Sequence, residues 1–333
     1  MLVVRNYLRK SRLAAAAASL AAVFILQASP ALAQSARTDF PSRPLKVIVG
    51  IQAGTGSDLA ARFFCSQLAE VLAQPCTVEN RPGANSLLGA MAVKQAPADG
   101  YTIFLGSNSP MAVNVALLKD MQYDPVKDFK PVYGLTLHTN VIVVPNSSPV
   151  RNMAELVAES KKRQLNVGTY ASLYEMATRW IASATGSRFL EVPYKGLAQL
   201  TVDMMGSQLD FAVVDLAGAA PLLHAGKLRA IAVLGDRPHP DFPNVPPVKD
   251  SGYPEIVNYS WTALYVRSEV PDEALAKLVD AMDGIMKRPA AKAFVAKMNL
   301  ELMPLSPVPM RRFQVTEIER FRKIATMAGM VPQ

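Results

Sequence analysis

The sequence predicts an α/β fold in two lobes, with a ligand cleft between them and two crossing strands joining them. Three observations predict it. Strand and helix signals alternate along most of the chain, the pattern of a parallel sheet covered by helices on both faces. That alternation runs twice, and the second run is followed by a long extended segment at 257–266 and then by helical stretches. Finally, 333 residues, 50% of them hydrophobic, suffice for about two domains with real cores. On this reading residues 1–33 are a signal peptide, a discontinuous first lobe holds 39–138 with 256–333, and the second lobe holds 139–255.

The chain opens with Arg5, Arg9, Lys10 and Arg12, an alanine-rich apolar run at 13–26, and then Ala31-Leu32-Ala33. A basic segment, a short apolar segment and a small-x-small site make an export signal, expected to be cut after Ala33. The apolar run is short for a membrane span, and no cysteine closely follows it to take a lipid. The mature chain is therefore expected outside the cytoplasm, where disulfides persist. Cys65 and Cys76 are nevertheless expected to be two buried free thiols. Helical rise alone, about 1.5 Å per residue from mid-helix to helix end, separates them by roughly 10 Å.

Leu45-Lys46-Val47-Ile48-Val49 is a β-branched run ended by Gly50, followed by a loop and an amphipathic helix at 57–72. Thr77-Val78-Glu79-Asn80 is a short strand closed by Arg81-Pro82-Gly83, and 87–95 is helical. Tyr101-Thr102-Ile103-Phe104-Leu105 is a strand closed by Gly106. The first crossing is expected at 131–139, followed by a separate strand, Val141-Ile142-Val143-Val144, ended by Pro145. Helices at 153–161, 173–185 and 197–205 then alternate with strands at 165–167, 189–192, 209–214 and 229–234. The extended segment at 257–266 is the return, and 274–286, 289–298 and 308–328 have helical period. No repeat of 20–50 residues is visible, which excludes solenoids and propellers. No apolar run beyond residue 34 approaches the roughly 18 residues of a spanning helix, which excludes a multi-span membrane protein.

The net charge of +8 falls to +4 once residues 1–33 are set aside, with 31 basic against 27 acidic residues. There is no stripe of Lys and Arg interleaved with aromatics, so nucleic acid is not an expected partner. His138, His224 and His239 have no neighbours at metal-ligand spacing, and no Gly-x-Ser-x-Gly elbow occurs. Gly54-x-Gly56 lacks both the third small residue of a dinucleotide fingerprint and the lysine of a phosphate loop. No catalysis, metal or cofactor is expected.

Eight segments, in order, carry a resemblance. They are Pro41-Ser42-Arg43-Pro44-Leu45; Ala53-Gly54-Thr55-Gly56-Ser57-Asp58 with Arg62; Glu79-Asn80-Arg81-Pro82-Gly83-Ala84; and Asp99-Gly100-Tyr101-Thr102. Then come Tyr123-Asp124-Pro125 with Lys127-Asp128-Phe129; Val192-Pro193-Tyr194-Lys195-Gly196; Ala225-Gly226-Lys227-Leu228-Arg229; and Asn244-Val245-Pro246-Pro247 with Gly252. Together they resemble the extracytoplasmic solute receptors of the tripartite tricarboxylate transporter system, the Bug proteins. The resemblance implies a periplasmic binding protein type II fold. It implies a monomer that captures a small organic carboxylate and delivers it to a two-subunit membrane permease. A second reading has the receptor present its ligand to a membrane sensor kinase.

A carboxylate can be held without arginine, because the first turn of a helix leaves N–H groups unpaired and carries partial positive charge. Gly54-Thr55-Gly56-Ser57-Asp58 sits between the first strand and the first helix, where such a trap is built. Gly83-Ala84-Asn85, Ser107-Asn108-Ser109 and the loop at 169–172 are further small or polar segments at strand ends, where open α/β sheets bind ligands. Asp58 is expected to pair with Arg62 rather than to touch ligand, and Asn80 and Arg81 to brace their own turn. By resemblance, Tyr194 and Gly196 open a helix facing the cleft beside Lys195, and Asp215 reads the distal part of the ligand.

Two departures from the family pattern stand out. Thr55 replaces a second glycine. The family's Gly-x-Gly-Ser-x-x-His-Leu stretch becomes Thr169-Tyr170-Ala171-Ser172-Leu173-Tyr174-Glu175-Met176. Glu175 stands where the family has histidine. It either repels a bound carboxylate or pairs with Arg179 one helical turn on, while Tyr170 and Tyr174 add stacking surface. A ligand that is aromatic, monoanionic or bears an amide or amine is expected. The expected contacts are Ala53, Gly54, Thr55, Gly56, Ser57, Ala84, Ser107, Tyr170, Ser172, Glu175, Tyr194 and Asp215.

Overall fold

The computed structural model describes residues 40–332. The expected signal peptide and its cleavage site lie outside the described residues. The chain runs β1 (Leu45–Val49), α1 (Gly56–Leu72), β2 (Cys76–Asn80), α2 (Leu87–Lys94) and β3 (Thr102–Ser107). A π-helical turn (Ser109–Val113) leads into α3 (Asn114–Leu117), and β4 (Phe129–Pro145) follows. Next come α4 (Met153–Lys162), β5 (Leu165–Thr169), α5 (Ser172–Thr185), β6 (Phe189–Pro193), α6 (Leu197–Met205), β7 (Phe211–Asp215), α7 (Leu216–His224) and β8 (Leu228–Val233). The chain closes with β9 (Tyr259–Arg267), α8 (Asp272–Lys287), α9 (Pro289–Lys297), β10 (Leu300–Leu302) and α10 (Pro307–Met327).

The strands form one sheet in the order β2-β1-β3-β9-β4-β7-β5-β6, with β8 and β10 also paired to β4. β1 pairs in parallel with β2 and β3, and β5 in parallel with β6 and β7. Between these parallel groups, β9 runs antiparallel to β3 and β4, and β4 antiparallel to β7 and β8. The inner strands of the parallel groups, β1, β3, β5 and β7, are largely buried, as covered parallel sheets require, while the edge strands β2 and β6 are half-exposed. On β1, Leu45, Val47 and Val49 pack with Phe64 and Leu68 of α1 and Leu278 and Met282 of α8, while Ile48 joins a second core. That second core continues through Val141–Val144 to α5 and α10, and includes Trp261 and Phe321.

Three expectations are corrected. β4 is a single strand of 17 residues, not a crossing followed by a separate strand. The polar break at Thr139-Asn140 does not end it, because Asn140 finds buried partners. Its Nδ2 donates to Asn258 Oδ1 at 2.6 Å, and its Oδ1 accepts from Ser260 Oγ at 2.9 Å. At that point β4 exchanges partners: Thr139 is paired with Tyr259 of β9, and Asn140 with Asp215 of β7. Pro131 is accommodated at a register shift in the ladder with β9.

Cys65 and Cys76 are not free thiols. They form a disulfide with a Cα–Cα separation of 5.4 Å. Axial rise gives the separation only as far as the end of α1, and Ala73 caps that helix in the left-handed region at φ 50°. The chain then turns back, and β2 starts beside the middle of α1. Lastly, the segment after β3 is helical rather than an open loop, with Pro110 in its first turn. Among the described residues no helix is long and apolar enough to cross a membrane.

Candidate functional site

The C-terminal ends of four strands, two from each parallel group, meet at one cleft of about 610 Å³. Gly50-Ile51-Gln52 follows β1, and the 82–86 loop follows β2; Thr169-Tyr170-Ala171 ends β5, and Pro193-Tyr194-Lys195 ends β6. This is the position at which open α/β sheets hold ligands. A more open hollow of about 750 Å³ lies between Lys94, the 118–128 segment and α10, away from these strand ends.

One wall is built on the β1 and β2 loops. Thr55, 2% exposed, caps α1 by accepting from Asp58 N at 3.3 Å. The Asp58 carboxylate accepts from Gly54 N (3.1 Å), from the Arg62 guanidinium (3.1 Å) and from Asn80 Nδ2 (2.8 Å). Its oxygens are thus engaged inside the protein, and the expected pairing with Arg62 is present. Asn80 also donates to Ile51 O at 3.0 Å. It therefore braces the β1 loop rather than its own turn, whereas Arg81 pairs locally with Glu79. Beyond Gly83, Ala84, Asn85 and Ser86 take φ values of 45°, 52° and 68°. Turns of this kind form anion-binding concavities from successive N–H groups, and non-glycine residues held there mark strain stored at functional loops.

The opposite wall is built on side chains. Tyr170 and Tyr174 lie with ring centroids 4.4 Å apart, both nearly buried. Tyr170 donates its hydroxyl proton to Asp215 Oδ2 at 2.7 Å, and burial, then the nearby Asp215 charge, raises its pKa well above the usual phenol range. Asp215 Oδ1 accepts from Gly218 N at 2.8 Å, capping α7, and from Gly56 N at 3.3 Å. Glu175 sits 2.6 Å from Arg179, which also bonds Glu191. Partial burial raises the Glu175 pKa, against the lowering effect of Arg179. Tyr194 donates to Asp203 at 2.6 Å, and burial followed by that bond pushes its pKa up to about 12. Lys195 is exposed on this wall, without an ion-pair partner among the described residues.

Both walls meet over β4. A Cβ at Gly56 would stand 2.8 Å from His138 Nδ1 and 2.9 Å from Asp215 Oδ1, so only glycine permits this approach. His138 is 1% exposed; its Nε2 shares a hydrogen bond of 2.7 Å with Thr136 Oγ1, and its Nδ1 has no partner. Burial lowers its pKa to about 4, although Asp215 pulls the other way, so the ring is neutral at pH 7.

Of the expected contacts, Ala84, Tyr170, Glu175 and Tyr194 line the cleft together. Ala53 and Gly54 are exposed at the β1 loop, and Ser57 and Ser107 are half-buried. Thr55, Gly56, Ser172 and Asp215 are buried behind the lining. Reading the sequence missed Gln52, which faces Gly196 so closely that a Cβ there would lie 2.5 Å from Gln52 Oε1. It also missed Asn114, whose only signal was its place after a serine- and asparagine-rich segment. Among the described residues no cluster of three His, Cys, Asp or Glu could hold a metal ion.

Residues 60–330 match the family described as the tripartite tricarboxylate transporter family receptor. The chain belongs to this family. It is 28% identical to the Bordetella pertussis protein BugT over 92% of this chain and 95% of that one. Among solved structures, R. palustris Rpa4515 with adipate superposes with a TM-score of 0.85 and 29% identity, over 89% of this chain and 100% of that one. MatC from Rhodopseudomonas palustris, with bound malate, gives 0.81 and 25%, over 86% and 99%. The receptor therefore has the type II periplasmic binding protein fold.

Proposed function

We propose that this receptor works in the periplasm, captures a small organic carboxylate in the cleft at the β1, β2, β5 and β6 ends, and delivers it to a two-subunit permease. The observation that carries the reading is the convergence of those four strand ends on one cleft, with the left-handed turn at 84–86 on one side and Lys195 on the other. A carboxylate needs N–H donors and positive charge, and these two elements supply them. Two relatives of the same fold are known with adipate and with malate. The two lobes are 39–138 with 256–333, and 139–255, meeting where β4 exchanges partners. The leader at 1–33 directs export and is removed after Ala33.

The tyrosine and glutamate wall narrows the ligand. Glu175 and Glu191 share the single guanidinium of Arg179, which leaves one negative charge at the cleft edge. A second carboxylate on the ligand meets repulsion there, whereas an aromatic ring or an amide or amine group is accommodated. A thermal-shift panel on the chain starting at Gln34 tests this. It comprises di- and tricarboxylates, aromatic monocarboxylates, amino acids and amides. Ligand at about 100 times its Kd adds about 2.7 kcal/mol, so a midpoint rise with aromatic or amine-bearing carboxylates is expected. A rise with plain dicarboxylates alone would remove Glu175 from the selectivity wall. No rise with any class would sink the binding assignment.

A further inference from the structure

Two helices, α1 and α5, begin directly beyond the strands whose ends form the cleft, and each has one of its first N–H groups satisfied from the other half of the molecule. Gly56 N of α1 donates to Asp215 Oδ1, 159 positions along the chain, at the end of β7. The residue preceding α5 is Ala171, which has no side chain able to cap. Instead Leu173 N donates to Ser109 Oγ at 3.2 Å, in the turn after β3. Beside it, Ser172 Oγ donates to Asn114 Oδ1 at 2.7 Å, and Asn114 Nδ2 donates to Asn85 O at 3.0 Å in the left-handed turn. Each half thus caps the cleft-facing helix of the other. Ser109, Asn114, Ser172 and Asp215 are all at most 4% exposed.

We infer that Ser109 and Asn114 form a clasp that holds the cleft closed, acting as positioning residues that set ligand residence without touching ligand. The inference rests on the reading of the cleft as an opening between two lobes. With the walls apart, these polar groups face water and exchange partners at little cost. With the walls together, each is buried and depends on the other, so removing one leaves its partner unsatisfied in the closed form alone. Asn114 is the central member, since it reaches α5 through one atom and the 84–86 turn through another. Loss of the clasp therefore shifts the closed-to-open balance and speeds ligand release, while the encounter step is untouched.

The test places spin labels on cysteines at Leu88 and Val202, both exposed, one on α2 and one on α6. Interlabel distances are compared for the labelled parent chain, Asn114→Leu, Ser172→Ala and the milder Ser109→Ala, with no added ligand. A shift of the variants toward longer distances, with Asn114→Leu and Ser172→Ala together no worse than Asn114→Leu alone, is the expected result. Distance distributions identical to the parent would overturn the clasp, even if melting temperatures fall, because a merely structural role moves stability and not the distance. A second arm uses adipate and malate as probes. Asn114→Leu and Ser109→Ala are expected to release whichever probe the parent binds about tenfold faster, with unchanged association. If the parent binds neither probe, the carboxylate reading is what fails, and the distance result still decides the clasp.

Discussion

The two walls of the cleft follow equivalent pieces of the fold, yet they are made of different material. After β1 and β2 the lining offers main chain and no charged or aromatic side chain: Gly50-Ile51-Gln52, the Pro82-Gly83 turn and three left-handed residues, fastened from behind by Asp58, Arg62 and Asn80. After β5 and β6 the lining is mostly side chain: Tyr170, Glu175, Tyr194 and Lys195. Backbone donors recognise any carboxylate, whatever it is attached to. Side chains distinguish what the carboxylate is attached to. On the function proposed above, one wall serves the class of ligand and the other selects its member.

The largest expected effect lies between the walls, at His138 on β4. Below pH 6.5 the unfolded chain takes up a proton that the buried ring, with its pKa near 4, refuses. Stability from this group is complete above about pH 6.5 and lost as pH falls, reaching a cost of about 3 kcal/mol near pH 4. Thermal unfolding from pH 7.5 to 4.5 is expected to show this slope in the native chain and a flatter one in His138→Gln. Equal slopes would mean that the strand shared by both walls does not bury a neutral imidazole.

A smaller effect isolates the main-chain wall. The disulfide ties α1 to β2 across 11 positions, and closing a loop of that size is worth about 2–3 kcal/mol. Cys65→Ser with Cys76→Ser is expected to lower the unfolding midpoint and to loosen the 50–58 and 82–86 loops in hydrogen exchange. Amides at 165–172 are expected to keep their protection; their loss would show that the walls do not stand independently.

The smallest effect isolates the side-chain wall. Tyr170→Phe removes the hydroxyl bond to Asp215 and is expected to cost about 1–2 kcal/mol in denaturant unfolding. Because the ring remains, affinity for an aromatic carboxylate should change less than stability. A large affinity loss would make the hydroxyl, rather than the ring, the selective element.

Much of the fold was legible because its signals are local. Short apolar runs ended by Gly or Pro located β1, β2, β3 and β6, β5 was legible from its place between two helical stretches, and apolar period located α5, α6 and the C-terminal helices. β4 was misread because a polar pair ordinarily ends a strand, and only the distant Asn258 and Ser260 make Asn140 acceptable inside one. The disulfide was misread because axial rise says nothing of how the chain turns after the helix. At the site, the loops at strand ends were legible from their glycines and prolines. Asp58 pairing with Arg62 was legible as a one-turn spacing. The contacts of Gly56 with Asp215 and of Ser172 with Asn114 were not, because they join segments 159 and 58 positions apart and depend on packing alone.

The partner exchange along β4 also orders the assembly of the molecule in time. Every strand of the sheet beyond Asn140 comes from a contiguous stretch ending at Val233. The other side is built on β9, whose residues 259–267 leave the ribosome after both strands they must pair with. β3 and the first part of β4 have no strand between them until β9 arrives. The half made first is thus finished last, and a truncated chain ending before Tyr259 would hold one complete sheet edge and one with its middle missing.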